Sequence, residues 1–270
     1  MTETSVAQEI PPELRTLGSE DIFNFRCAKG LDCFTLCCRD ISIVLTPYDV
    51  LRMKRALGLD SSAFLKKYTV AMSTRDRNLP VIILKMEGAE RKCPFVSLSG
   101  CTIYPNRPWA CRMYPLGLAE SRTADTAAKF YFLLNEEFCH GHGKGKTCQL
   151  REWQAQQGLE EYDLLETPFR ELMLHTSWEK AGTLTPEKMG MYFMACYDLD
   201  NFRRFVLESS FLRRFEMDET RIEAIRTDDE ELLEFAVEWL RFALFGERTM
   251  KVRRDVSAQD GARPGSERAV

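Results

Sequence analysis

A chain of 270 residues with 44% apolar and 29% charged residues has the make-up of a folded globular protein with one large or two small domains. Its formal net charge of −4 and pI near 5.6 argue against a broad basic face for nucleic acid. Apolar runs such as Val81–Leu84 are too short to cross a bilayer. Met1–Leu17, with Glu3, Glu9, Pro11, Pro12 and Glu13, has neither the basic start nor the apolar stretch of a secretory leader. The expectation is a cytoplasmic protein with no membrane and no nucleic-acid partner.

Along the chain, a polar tail (1–19) precedes the β-branched run Ile41–Leu45, which suits a short strand. Thr46-Pro47-Tyr48-Asp49 then has the signature of a helix start: a hydroxyl cap, proline in the first turn and a carboxylate at the positive dipole end. That helix is expected to stop at Gly58, and Ser61 opens a second one through Tyr68. Val81–Met86 is the next expected strand, Glu87–Glu90 a turn towards Cys93, and Lys129–Leu134 a further strand. Pro105 and Pro108 favour a fixed loop over a helix between Cys101 and Cys111.

Beyond residue 148 the pattern turns helical. Helices are expected over Leu150–Gln157, ended by Gly158, and over Tyr162–Lys180, interrupted at Pro168. Another follows Thr185-Pro186-Glu187, with the stripe Met189, Tyr192, Phe193, Cys196, Leu199, Phe202 and Val206. The last spans Asp228–Phe245, with Leu232, Phe235, Trp239 and Phe242 on one face and Gly246 just past its end. After Gly246 the chain becomes basic, with Arg248, Lys251, Arg253 and Arg254. The divisions read from this are a tail (1–19), a cysteine-rich domain (20–148), a helical region (149–246) and a basic tail (247–270). The fold class is α+β: a small cysteine-rich metal-binding domain of short strands and helices, then an α-helical C-terminal region.

Cysteine placement carries the chemistry. Of 10 cysteines, all but Cys196 lie between Cys27 and Cys148, as Cys27, Cys33, Cys37 and Cys38, then Cys93, Cys101 and Cys111, then Cys139 and Cys148. In a reducing compartment such clustering points to metal or redox work rather than a disulfide framework. Four thiolates from separate loops can close a tetrahedral zinc site or hold an iron–sulfur cluster. Nine exceed one tetrahedral site. The adjacent Cys37 and Cys38, whose side chains diverge in extended backbone, suit two sites, or one ligand and one free thiol. Arg107 and Arg112 stand beside these cysteines in sequence. They could offset cluster charge or bind an anionic cofactor or substrate, or could pair with a carboxylate or cap carbonyls. Tyr104 and Tyr114 are read as aromatic packing around the site.

The run Phe25–Cys38, then Cys93-Pro94-Phe95, then Cys101-Thr102-Ile103-Tyr104-Pro105-Asn106-Arg107-Pro108 through Cys111-Arg112-Met113-Tyr114-Pro115, resembles the YkgJ-type cysteine-cluster family. That family is described as chelating zinc or iron through a CxxCxxCC domain and includes flagellin lysine N-methylases. The resemblance covers about Phe25 to Pro115, and the second block is its more specific part. The first block departs from the usual form, with gaps of five and three residues between its cysteines. The resemblance implies metal chelation, with an iron–sulfur cluster as a candidate in the methylase branch. It does not carry methylase activity over to this chain.

His140 or His142 could complete a mixed site with Cys139 and Cys148, or lie in an exposed glycine-rich loop. The run Gly141–Thr147 lacks the spacing of a phosphate loop, although a glycine-containing basic loop touching an anion stays open. His175 is read as having no chemistry, and Cys196 as a small buried hydrophobe on a helical stripe. Two classes of function therefore stay open. One is a metal carrier, sensor or structural metal module. The other is a metal-dependent enzyme, such as a protein lysine N-methyltransferase or an iron–sulfur redox protein. The expected partners are a metal ion or cluster, and a protein partner or substrate docked through the helices.

Overall fold

The computed structural model describes residues 16–123 and 126–253, without the side chains of 120–129. The expected N-terminal tail up to residue 15, and the basic tail from 254 onward including Arg254, lie outside the described residues. Contacts group the chain into two units, 1–49 with 83–164 and 50–82 with 165–270. Short strands alternate with helices in the first half and helices dominate the second, which is the α+β class that the sequence implies. Among the described residues, no helix is long and apolar enough to cross a membrane.

The first unit is built from small antiparallel pieces. Leu116–Thr123 and Thr126–Leu133 form a hairpin from Leu116↔Leu133 to Thr123↔Thr126, and Thr16–Leu17 adds beside it at Phe132 and Tyr131. Ile22–Phe25 pairs with His142–Gln149, with Phe25 opposite His142 and Phe23 opposite Cys148. The register shifts between His142 and Thr147, and Gly143 (φ +70°) and Gly145 (φ +81°) supply the left-handed backbone of that bulge. The glycine-rich run is therefore part of a strand pair and not a flexible loop. Leu17, Phe23, Phe25, Met113, Leu116, Leu150 and Leu159 form the core beneath these strands.

The second unit is helical, apart from the strand Thr69–Ser73, its neighbour Pro80–Leu84 (which continues into the first unit), and the short pair Phe215–Glu216 and Lys251–Val252. The helix Asp229–Phe245 is capped by Asp228, whose carboxylate accepts from the N–H groups of Glu230 and Glu231, and it ends at Gly246 in the left-handed conformation. Its Phe235 and Trp239 pack on Phe202 and Phe211. The expected long stripe is two helices, Pro186–Cys196 and Leu199–Glu208. They part at Asp198, whose carboxylate accepts from the Ser61 and Ser62 hydroxyls.

Other expectations are corrected by packing. The strand expected over Ile41–Leu45 is only Val44–Leu45, and Val81–Met86 is shifted to Pro80–Leu84. Pro168 does not interrupt its helix, Leu159–Met173, where Leu159, Tyr162, Glu166 and Leu172 are buried on both sides of it. Tertiary burial there outweighs the local cost of proline. The segment between Cys101 and Cys111 is not all loop either. A 3₁₀ turn, Tyr104–Asn106, leads into the short helix Trp109–Met113, for which Pro108 is the N-cap rather than a breaker.

Within the second unit, the buried Lys54 ammonium lies 2.9 Å from Asp200 and 3.3 Å from Asp229. Arg203 pairs with both carboxylates, and Arg55 with Asp229. Burial alone would raise both carboxyls. Hydrogen bonds and charges from Lys54 and the Ser61 N–H at Asp200, and from Arg203, Lys54 and Arg55 at Asp229, instead leave both below the ordinary value of 3.8. Their stabilisation is thus whole above that value and is lost as pH falls through the lowered pKa values. Lys54→Ala should destabilise the protein by about 2 kcal/mol at neutral pH, because it leaves two half-buried carboxylates short of a partner. Chemical denaturation should show this loss together with a shallower fall in stability below about pH 4. A loss under about 1 kcal/mol would mean that the arginines alone hold the network.

Candidate metal centre

The first cysteine block is a coil of tight turns. Backbone bonds Leu31→Ala28, Phe34→Leu31, Leu36→Cys33 and Cys38→Thr35 wind it up, with Gly30 (φ +102°) and Thr35 (φ 69°) in left-handed conformations. Cys37 and Cys38 lie in the 3₁₀ turn Leu36–Cys38, not in the extended backbone assumed from sequence. At three residues per turn their side chains leave the axis about 120° apart, so they still diverge. A hydrogen bond between the two thiols lowers Cys37 to about 7 and raises Cys38.

The second block is stitched to the first by backbone. The Asp40 N–H donates to Arg91 O (2.9 Å), and the Cys93 N–H to Cys38 O (2.8 Å). From Cys93 the chain turns back on itself, as the Val96 N–H reaches Cys93 O, and Val96 pairs with Cys101 across a two-stranded hairpin. Gly100 (φ +108°) lets the Phe34 ring close to 3.2 Å from where a Cβ would stand, which ties this hairpin to the first block.

Cys111 is presented by the helix Trp109–Met113, whose placement depends on two charged side chains. Asp49 accepts from the Trp109 N–H (2.7 Å) and from the Thr46 N–H (3.0 Å), and its burial raises its carboxyl to about 6. Arg112 donates to the carbonyls of Arg107 (3.1 Å), Gln157 (2.7 Å) and Pro105. Arg107 lies over the Tyr104 ring and donates to Tyr104 O (2.8 Å) and Gln157 Oε1 (2.5 Å). Both guanidinium groups are thus spent on the loop that carries the cysteines, in the carbonyl-capping role. Tyr104 itself is exposed, whereas Tyr114 packs on Phe25.

Cys139 closes the arrangement from the segment before the strand His142–Gln149. Together with Cys27, Cys33 and Cys37 it lines a cavity of about 20 Å³, bounded also by Phe25, Leu31, Tyr114, Phe138 and Gly141. That is room for about one water. Gly141 is needed here because a Cβ would meet the Arg26 carbonyl and the Phe25 ring at 2.8 Å. The His140 N–H donates to Cys33 Sγ at 3.2 Å. The His142 ring packs on Phe25, its buried Nε2 without a partner among the described residues; the Tyr114 hydroxyl likewise lies against Cys139 without a hydrogen bond of normal geometry.

The thiols act on one another electrostatically. Burial raises Cys27 to about 11, helped by Cys37, Cys33 and Cys139. Burial also raises Cys93 and Cys101. Cys111 keeps accessible surface yet is densely surrounded, and that crowding, with Cys93, Asp49, Cys101 and Cys37, raises it further. Cys148 stands apart: its Sγ lies 3.8 Å from Phe23 O, and its shift comes from burial and Glu152, with no cysteine contributing. Cys196 is buried in the other unit.

Eight thiols from five stretches of chain thus share one neighbourhood, and none of the ten cysteines is in a disulfide. Soft thiolate donors fit zinc and iron. The side chains are gathered without being closed on a point, since among the described residues no three donors converge tightly enough to hold an ion. Sequence reading missed Asp49 as an anchor of the helix bearing Cys111, having read it only as a helix-start residue, and it had no signal for Gln157.

Residues 26–140 match the model of the CxxCxxCC family, whose description is "Putative zinc- or iron-chelating domain". The match is similar in extent to the resemblance seen in the sequence, and it covers 26–140 of the 270 residues. No curated protein and no solved structure matches the chain.

Arg112→Lys should lower stability by about 2 kcal/mol or more, because an ammonium cannot reproduce the fork that serves three carbonyls. Thermal melts of the two proteins check this. An unchanged melting temperature would show that the loop holds without the fork, and would return Arg112 to the list of ligand-binding residues.

Proposed function

We propose that this protein is a metal-binding module of the reducing cytoplasm, holding zinc or iron through cysteine thiolates, with an iron–sulfur cluster as one form of the iron state. The observation that carries this is the gathering of thiols from Cys27 to Cys139 in one unit with no disulfide among them. The family match over 26–140 supports the same chemistry. Cys27, Cys33, Cys37, Cys38, Cys93, Cys101, Cys111 and Cys139 are the proposed ligands, and Cys148 is left out because its Sγ lies by Phe23 O and no other cysteine acts on it. A bound ion would supply a cross-link among short segments whose own apolar core is small. The chain's part is to hold the donors near one another. The Cys93–Cys38 backbone bond does this for the first two blocks, and Asp49 and Arg112 do it for the helix bearing Cys111.

Protein purified without oxygen should carry zinc or iron, and its optical spectrum separates them, since an iron–sulfur cluster absorbs in the visible and zinc does not. Cys111→Ala should lower metal per chain. Cys196→Ala should leave it unchanged, at a stability cost on the order of 1 kcal/mol. Protein that takes up neither metal after anaerobic reduction and add-back would end the metal reading, and equal loss in the two variants would overturn the ligand assignment.

A further inference from the structure

We propose that the eight gathered cysteines form two separate four-thiolate metal sites, one of Cys27, Cys33, Cys37 and Cys139 and the other of Cys38, Cys93, Cys101 and Cys111, divided at the Cys37–Cys38 peptide bond. The inference rests on the thiolate function proposed above and deepens it by giving each cysteine a site.

Geometry draws the division. The first four thiols line a single cavity, which contains none of the second four. The second four are held by a different set of bonds. Cys93 is fixed to Cys38 through its N–H, Cys101 faces Val96 in the hairpin that Cys93 opens, and Cys111 rides on the helix held by Asp49. Where the two sets adjoin directly in sequence, the 3₁₀ turn sends the side chains of two neighbouring residues in different directions, and the chain returns to the first set only at Cys139. The electrostatic neighbours follow the same line. Cys27 has Cys37, Cys33 and Cys139 as near neighbours, while Cys38 has Cys93 and Cys111 besides Cys37. Cys111 has Cys93 and Cys101 as near neighbours, and Cys37 is the one member of the first set close to it. Four donors per set is the number that a closed tetrahedral thiolate site uses. A single site would leave four of these thiols without a role.

The test uses the full chain, reduced and stripped of metal, then titrated with Co²⁺ under anaerobic conditions. Thiolate-to-cobalt absorption and metal analysis serve as readouts. Wild-type protein is expected to bind two ions per chain. The Cys27→Ser/Cys139→Ser and Cys101→Ser/Cys111→Ser variants are each expected to keep one ion and about half of the absorption, and Cys148→Ser to keep two. One ion per wild-type chain, complete loss in either double variant, or loss in Cys148→Ser would overturn the division while leaving thiolate binding intact. No uptake by the wild type would instead overturn the function on which it rests. If a double variant fails to fold, wild-type stoichiometry still decides: a total other than two refutes the proposal.

Discussion

The hydrogen bond from the Cys93 N–H to Cys38 O, with its neighbour from Asp40 to Arg91, is the constraint on which the gathering of the cysteines depends. Between these segments the chain leaves the first unit and contributes 50–82 to the second. Closing so long an excursion has an entropic cost that rises only slowly with its length, so a short run of backbone bonds and the packing of Phe34 against Gly100 can hold the ends together. Without them the first and second cysteine blocks would be separate loops. With them, the two blocks lie side by side and their thiols come together.

A second layer of support comes from charges turned inward. Arg112 and Arg107 bind the carbonyls of Pro105, Arg107, Tyr104 and Gln157, and Asp49 receives the Trp109 N–H. The cations at this site therefore fix its wall. The turn after Leu150–Gln156 is part of that wall through Gln157, so the cysteine loop and the first helix after the cysteines are parts of one unit.

Features that depend on neighbouring residues were legible in the sequence. Thr46 and Asp49 bond each other's backbone N–H at the start of Pro47–Leu57, and Asp228 and Gly246 bound the last helix where their types place them. The cysteine constellation was legible for the same reason, because donor type and spacing are local. Features that depend on distant pairing were not. Nothing near Ile22 says that its strand pairs with His142–Gln149, and only that pairing sets Cys148 opposite Phe23 and apart from the other thiols. The directions of Arg107 and Arg112 were equally hidden, since the acceptor they share, Gln157, lies 45 to 50 residues further along.

Electrostatics then favour a cation at the centre. Burial and mutual repulsion both penalise thiolates at Cys27 and Cys111, and burial does so at Cys93 and Cys101. The nearest fixed positive charges offer little relief. Arg107 lowers Cys101, but only as the smallest of the influences on it, and its N–H groups end on Tyr104 and Gln157. An anion brought to this place would meet thiols that burial keeps protonated and guanidinium groups already engaged. A divalent metal reverses both penalties at once, since it takes up the charge of several thiolates and displaces their protons as it binds. The same surroundings that make isolated thiolates unfavourable thus make a shared cation the natural counterpart of the cluster.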